Sequence, residues 1–107
     1  MIYSVKARFN VNKMPEFYRK LTDGTILNQK PDGREIVDSM KRARITEQNV
    51  IQWTEMCYCS PPLKHERETV YNNYLSDIET DPTDDYREFE GKSFMDYIEK
   101  LPGSKNQ

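Results

Sequence analysis

The feature that most constrains this chain is a predicted β-hairpin in its middle. Two extended segments, at residues 41–46 and 50–59, flank Glu47-Gln48-Asn49. A three-residue loop that ends on a left-handed Asn is a common hairpin connection. The sequence therefore predicts two adjacent antiparallel strands, against which the other elements must pack.

The register of this hairpin follows from the distribution of its apolar residues. If Thr46 pairs with Val50, the apolar side chains collect on one face, whereas a slip by one residue would mix Arg42 and Arg44 with them. A sheet that packs against helices on one side requires such a face. The remaining predicted pairs are Ile45 with Ile51, Ala43 with Trp53, and Lys41 with Glu55.

Hydrophobic periodicity and capping residues predict the other elements. The alternation of Tyr3, Val5, Ala7 and Phe9 predicts a first strand. Apolar spacings of three and four residues after capping residues or prolines predict helices. The expected elements are a strand at 2–9, helices at 12–23 and near 33–39, a helix starting at Ser60-Pro61-Pro62, a strand at 75–80 that Pro82 ends, a polar acidic loop at 81–92 and a helix capped by Ser93.

The order of these elements contains a β-α-β-β-α-β core, which is the ferredoxin-like pattern. We therefore expect an α+β protein with an antiparallel sheet, helices on one face and an added C-terminal helix. The domain is expected at residues 1–101, followed by a disordered tail at 102–107. The order, the length and the opening strand resemble the small dimeric α+β barrel proteins of bacteria, such as the YciI-like and antibiotic-biosynthesis-monooxygenase-like groups. This resemblance covers the architecture of residues 1–80 and implies no functional residue.

Composition limits the expected partners. The chain has 16 basic and 18 acidic residues and a formal net charge of −2, which excludes a generally basic nucleic-acid-binding protein. No apolar run approaches the ~20 residues of a membrane span, and because Met1-Ile2-Tyr3 opens into strand-like sequence, we expect no signal peptide. We expect a cytoplasmic protein with no membrane or nucleic-acid partner. Because only 36% of the residues are hydrophobic, the lean core favours a homodimer formed through the open face of the sheet.

Charge is distributed unevenly along the chain. Residues 1–44 carry 10 basic and 5 acidic side chains, whereas residues 77–100 carry 9 acidic and 3 basic ones. The basic and the acidic region can form two separate surfaces, each exposed to solvent. The alternative is that the acidic C-terminal segment packs against the basic N-terminal half.

A candidate ligand-binding site surrounds Glu55 on the inner face of the hairpin. A carboxylate among apolar residues must be paired, open to a pocket or shifted in pKa. Lys41 is its predicted cross-strand neighbour, and Arg67 lies on the inner stripe of the helix that follows. With Trp53 and Tyr3 these residues would line a small-molecule site, or they would form a structural ion pair.

Cys57 and Cys59 lie two residues apart, so both side chains are expected on one side of the strand, where a disulfide between them would be strained. With His65, and with Glu55, they are the candidate catalytic residues. Cys-x-Cys plus His could ligate a metal or activate a thiolate, but no fourth ligand is spaced nearby in the sequence. We therefore expect no metal and no cofactor, and thiols that fill the core.

The sequence lacks a glycine-rich phosphate loop, a nucleophile elbow and a His-Glu-x-x-His motif. This favours a non-catalytic protein that binds a ligand or a partner. The alternative is a cofactor-free enzyme that acts on a small molecule in a pocket between sheet and helices, with Glu55 as acid or base. Trp53 is expected to be buried, with its N–H bonded to Glu55 or Tyr71.

Overall fold

The computed structural model describes residues 1–105. The strands are β1 (Ile2–Phe9), β2 (Arg44–Glu47), β3 (Val50–Met56), β4 (Leu75–Thr83) and β5 (Lys92–Ser93). The helices are α1 (Met14–Thr22), which follows a 3₁₀ turn at Val11–Lys13, α2 (Gly33–Arg42), α3 (64–74) and α4 (Phe94–Glu99). Helix α3 has α-helical ends at Lys64–Glu66 and Asn72–Tyr74 and a π-helical middle at Arg67–Tyr71.

The strands form one antiparallel sheet in the order β4-β1-β3-β2-β5, so the protein belongs to the α+β class. Strand β1 pairs with β3, from Ile2 opposite Met56 to Arg8 opposite Val50, and with β4 on its other side. Strand β4 continues to Thr83, so Pro82 does not end it as predicted. Because β4 is an edge strand, a residue without an N–H is tolerated there.

Aromatic residues build much of the core between the sheet and the helices. The predicted alternation of β1 is confirmed, because its inward side chains include the buried Phe9. Phe9 contacts Phe94 of α4 with ring centroids 5.5 Å apart, and Phe17 of α1 stacks on Tyr74 of α3 at 4.5 Å. These contacts join β1, α1, α3 and α4 in one core.

The predicted hairpin is confirmed at its turn and wrong at its far end. Ile45 lies opposite Ile51, and Asn49 has the left-handed conformation, with φ of 60°. A bulge places Glu47, rather than Thr46, opposite Val50. Strand β2 begins only at Arg44, so the predicted Ala43–Trp53 and Lys41–Glu55 pairs do not form.

Helix α2 replaces the missing half of the hairpin, since it continues through Arg42. Along the free edge of β3, the Arg42 guanidinium donates to the carbonyl of Thr54 at 2.7 Å. The Glu35 carboxylate accepts from the backbone N–H of Met56 at 2.9 Å. Side chains of the helix therefore satisfy backbone groups that a longer β2 would have paired.

The acidic segment 84–91 packs on the sheet face opposite the core, and one of its carboxylates pairs with a basic residue of the N-terminal half. Glu88 pairs with Arg44 at 3.3 Å, and the Arg42 guanidinium lies 4.5 Å from the Tyr86 ring centroid. The backbone of Arg87 exchanges hydrogen bonds with the Thr54 hydroxyl, which is fully buried. Part of the predicted open face is therefore covered by the chain itself.

The start of α3 and the C-terminus differ from the sequence predictions. Helix α3 begins at Lys64 rather than at the prolines, because Leu63 is left-handed, with φ of 59°. Within the predicted disordered tail, Ser104 is buried and its hydroxyl donates to the carbonyl of Ile98 at 2.5 Å. Residues 106 and 107 of that tail lie outside the described residues. No helix within residues 1–105 is long and apolar enough to cross a membrane.

Candidate functional site

The end of β3, the segment after it, and the first turns of α2 and α3 enclose a cavity of about 230 Å³. We call it the thiol pocket. Its lining combines two thiols, three carboxyl groups and an imidazole with a few apolar side chains. The lining residues are Pro31, Asp32, Glu35, Met56, Cys57, Tyr58, Cys59, His65 and Glu66.

Backbone contacts fix the position of the two thiols after β3 ends. The N–H of Cys57 donates to the carbonyl of Met1 at 2.9 Å, which continues the β1–β3 pairing by one step. The N–H of Cys59 then donates to Cys57 Sγ at 3.1 Å, so the chain turns around that sulfur. Burial raises the pKa of the Cys57 thiol to about 12, because the thiolate loses its hydration.

His65 and Asp32 form a pair at the mouth of the thiol pocket. His65 Nδ1 lies 2.5 Å from Asp32 Oδ2, and the other carboxylate oxygen accepts from Gln29 Nε2 at 3.0 Å. The hydrogen bond with Asp32 raises the pKa of His65. Since Nδ1 is engaged, Nε2 is the ring nitrogen left for another partner.

Glu66 lies deeper in the same pocket and is only 2% exposed. Its Oε1 atom lies 3.4 Å from Cys59 Sγ and 3.7 Å from Cys57 Sγ. Thiols are weak hydrogen-bond donors. Among residues 1–105, no Lys, Arg or His lies within ion-pair distance of this carboxylate. Glu66 is therefore a buried acid with weak partners.

Glu35 lines one side of the pocket, and three hydrogen bonds fix its side chain. Its Oε2 atom accepts from Arg42 at 3.2 Å, from the Met56 N–H at 2.9 Å and from the Tyr86 hydroxyl at 3.1 Å. These three donors link the pocket wall to β3 and to segment 84–91. Because one donor is a guanidinium, the charge of Glu35 is matched locally.

Glu55, the centre of the predicted site, is fully buried beside the pocket rather than lining it. Its Oε1 atom accepts from Trp53 Nε1 at 2.8 Å and from the Tyr71 hydroxyl at 2.6 Å. This confirms the predicted burial of Trp53 and the predicted partner of its N–H. Burial raises the pKa of Glu55 to about 8, against the lowering effect of these two hydrogen bonds. We call these three residues the Glu55 cluster.

The other predicted ligand-binding residues are dispersed. Lys41 is exposed on the last turn of α2, far from its predicted place in a strand. Tyr3 is half-buried on β1, directly opposite Glu55. Arg67 is half-buried at the start of the π-helical turn of α3. None of the three lines the thiol pocket.

Two sets of side chains in the pocket could hold a metal ion. The donor atoms of Cys57, Cys59 and Glu66 all lie within 4.8 Å of one another, as do those of Asp32, His65 and Glu66. The sequence singled out both cysteines and His65 for such a role but not the two acids. For Glu66 a signal existed, because it precedes Val70 by four residues and so shares the buried side of α3. For Asp32 there was none, since it is 33 residues from His65.

Comparisons of this chain with protein-family models, with curated proteins and with solved structures returned no match.

Proposed function

We propose that the protein binds a small cationic ligand in the thiol pocket. The observation that carries the proposal is Glu66, a buried carboxylate in the pocket wall whose nearest partners are two weak thiol donors. Burying a carboxylate without a counter-ion is costly. A cation in the pocket would supply that counter-ion.

The charges of the lining support the same conclusion. Asp32 is matched by His65, and Glu35 is matched by Arg42. No Lys or Arg is among the described lining residues, and none of the ion pairs among residues 1–105 involves Glu66. The cavity of about 230 Å³ is smaller than the ~300–1,000 Å³ typical of sites for drug-sized molecules. The ligand is therefore an ion or a molecule of few atoms.

Thermal unfolding with a defined set of probes tests this function. Methylammonium, ethylenediamine and divalent metal ions serve as cations, and acetate serves as the anionic control. We expect at least one cation to raise the Tm of the wild type, by mass action on the folded state, and acetate to leave it unchanged. Glu66→Gln should abolish the shift, while Glu68→Gln on the exposed side of α3 should keep it. Equal shifts by cations and acetate, or none, would refute the proposal.

Catalysis in the same pocket is the second candidate, and the His65–Asp32 pair favours it. An enzyme that used Glu55 as acid or base needs substrate contact, but Glu55 is enclosed by Trp53 and Tyr71. In the thiol pocket the base would be His65 Nε2, with Asp32 orienting the ring. A screen of nitrophenyl ester probes tests this. Turnover lost in His65→Gln but kept in Glu55→Gln would support catalysis, and no turnover in the wild type would refute it.

We also propose a ferredoxin-like arrangement of β1, α1, β2, β3, α3 and β4, to which α2, β5 and α4 are additions. The strand order β4-β1-β3-β2 and the antiparallel pairing support it.

The predicted homodimer would form through the part of the open sheet face that segment 84–91 does not cover. Sedimentation at micromolar concentration should then give twice the single-chain 12.7 kDa, and a constant mass of one chain would refute it. The two free thiols suit the predicted cytoplasmic location.

A further inference from the structure

We infer that Cys57, Cys59 and Glu66 form a binding site for one thiophilic divalent cation of the zinc class. This inference rests on the proposed cation-binding function and names the cation. The two cysteines lie in the segment after β3 and Glu66 lies in the first turn of α3, and all three line the thiol pocket.

The spacing of the three donor atoms already fits tetrahedral coordination. Zinc binds thiolate sulfur at about 2.3 Å and carboxylate oxygen at about 2.1 Å, so the sulfur–oxygen edge of a tetrahedral site is about 3.6 Å. The two Sγ–Oε1 distances to Glu66 are 3.7 Å from Cys57 and 3.4 Å from Cys59. The three donor atoms lie within 4.8 Å of one another. Binding thus requires only small shifts of side chains.

The donor set selects the class of metal. Two thiolates favour zinc and other thiophilic ions over Mg²⁺ and Ca²⁺, which prefer oxygen ligands throughout. The N–H of Cys59 donates to Cys57 Sγ at 3.1 Å, a bond that stabilises the thiolate and orients a ligand sulfur. A thiophilic metal would therefore meet one sulfur that the backbone already holds in place.

Proton and charge balance are simple. The cation replaces the S–H protons of Cys57 and Cys59, so two protons leave to solvent and no redox change occurs. Two thiolates and the Glu66 carboxylate then surround a dication, which leaves one negative charge. The buried acid gains a counter-ion in place of two weak donors.

The second donor set, Asp32, His65 and Glu66, is the weaker choice for the metal. Asp32 and His65 already satisfy each other at 2.5 Å, and Gln29 holds the carboxylate from its other side. A metal held by His65 Nδ1 and Asp32 Oδ2 would have to break that pair. At the cysteine set, by contrast, three protein ligands leave one position of a tetrahedral ion for a water molecule or a further ligand.

Titration of the reduced, chelator-treated protein tests the inference. Zn²⁺ is titrated against a competing chromophoric chelator, and Co²⁺ serves as a spectroscopic probe. We expect one Zn²⁺ per chain, and a Co²⁺ spectrum with a sulfur-to-metal charge-transfer band and tetrahedral ligand-field bands. Cys59→Ser and Glu66→Gln should each weaken Zn²⁺ binding by at least about 100-fold, because loss of a ligand exceeds the loss from an outer partner.

Three controls make the result decisive. Glu68→Gln, two residues after Glu66 and exposed, should keep wild-type affinity. His65→Asn should reduce affinity by less than the ligand variants. Far-UV circular dichroism checks that Cys59→Ser is folded. We expect it to fold, because Cys59 is only half-buried. Zn²⁺ binding that survives Cys59→Ser, or a Co²⁺ complex without the charge-transfer band, would overturn the inference. Methylammonium binding without Zn²⁺ binding would overturn it and leave the proposed function standing.

Discussion

Two buried glutamates, Glu55 and Glu66, lie close together but differ in their hydrogen-bond partners and in their contact with a cavity. Both are at most 2% exposed. Glu55 accepts two strong hydrogen bonds from Trp53 and Tyr71 within the core, and its raised pKa of about 8 keeps it protonated at neutral pH. Glu66 lines a cavity, and its hydrogen-bond partners among residues 1–105 are two thiols.

This difference is the basis for the structural role assigned to Glu55 and for the functional role proposed for Glu66. Burial alone is common to both, so burial does not identify a site. What distinguishes Glu66 is the combination of an adjacent cavity, weak donors and neighbouring ligand-type side chains. Glu55 instead organises the core, because its carboxyl group joins β3 to α3 through Tyr71.

The largest effect is expected from removing the indole that supports Glu55. Trp53→Ala should lower the free energy of unfolding by about 3–5 kcal/mol, because a fully buried ring is lost and a cavity remains. Urea unfolding followed by circular dichroism measures it. Trp53→Phe keeps most of the ring and removes the N–H donor, so its loss should be smaller. A cost below about 1 kcal/mol for the alanine variant would contradict the assigned role.

The protonation of Glu55 predicts a pH dependence of stability. Its pKa is raised from the ordinary 4.5 to about 8 on folding, so the folded state keeps a proton that the unfolded state releases. Stability from this group is greatest below about pH 4.5 and is lost as pH rises towards about 8, at up to about 1.4 kcal/mol per pH unit.

Glu55→Gln tests this pH dependence, because the amide cannot ionise and the variant should lack that part of the slope. Urea unfolding of wild type and variant at several pH values between about 5 and 8 measures the difference. The stability of the wild type relative to the variant should fall across this range. Parallel curves would show that Glu55 is not protonated in the folded protein.

Glu66→Gln should lower the stability of the metal-free protein by no more than about 1 kcal/mol, since the amide oxygen can still accept from both thiols and no buried carboxylate is left without a counter-ion. Urea unfolding in the presence of a chelator and a reductant measures it, beside Glu55→Gln under the same conditions. A loss from Glu66→Gln as large as that from Trp53→Ala would place Glu66 among the structural carboxyl groups.

The smallest expected difference is between the labelling rates of Cys57 and Cys59 in the native protein. Cys57 is buried and has a raised pKa, whereas Cys59 is half-buried. A thiol reagent should therefore label Cys59 before Cys57, and both slowly compared with the denatured protein. Mass spectrometry of digested samples resolves the order. Equal and rapid labelling of both thiols would contradict the enclosed geometry of the thiol pocket.

Much of the fold was predictable, because most elements carry a strong local signal. The alternation in β1, the left-handed Asn49 and the periodicity of the last helix all appear in the structure. The error at residues 41–43 has a specific cause. Strand-like and helix-like patterns overlap there, and the decision rests on Arg42 and Glu35 bonding to the edge of β3, which is a contact between segments and not a local propensity.

The candidate site was predictable only in part. The sequence identified Cys57, Cys59, His65 and Glu55 as chemically unusual, and three of these line the thiol pocket. It grouped them around the wrong acid, since the first strand of the predicted hairpin began at residue 41 instead of Arg44 and so placed Lys41 opposite Glu55. The true partner of the thiols, Glu66, lies on the helix after them.

By itself, the sequence determined the α+β class, the one-sided core and the burial of Trp53, because these follow from patterns within ten residues or so along the chain. The tertiary structure alone decided which of the two glutamates contacts a cavity and that Asp32 meets His65 across 33 residues. The physical reason is that periodicity specifies which face of an element is buried. Which side chains then meet across that buried face depends on helix entry angles, bulges and strand ends, such as the left-handed Leu63, which are settled when the segments pack.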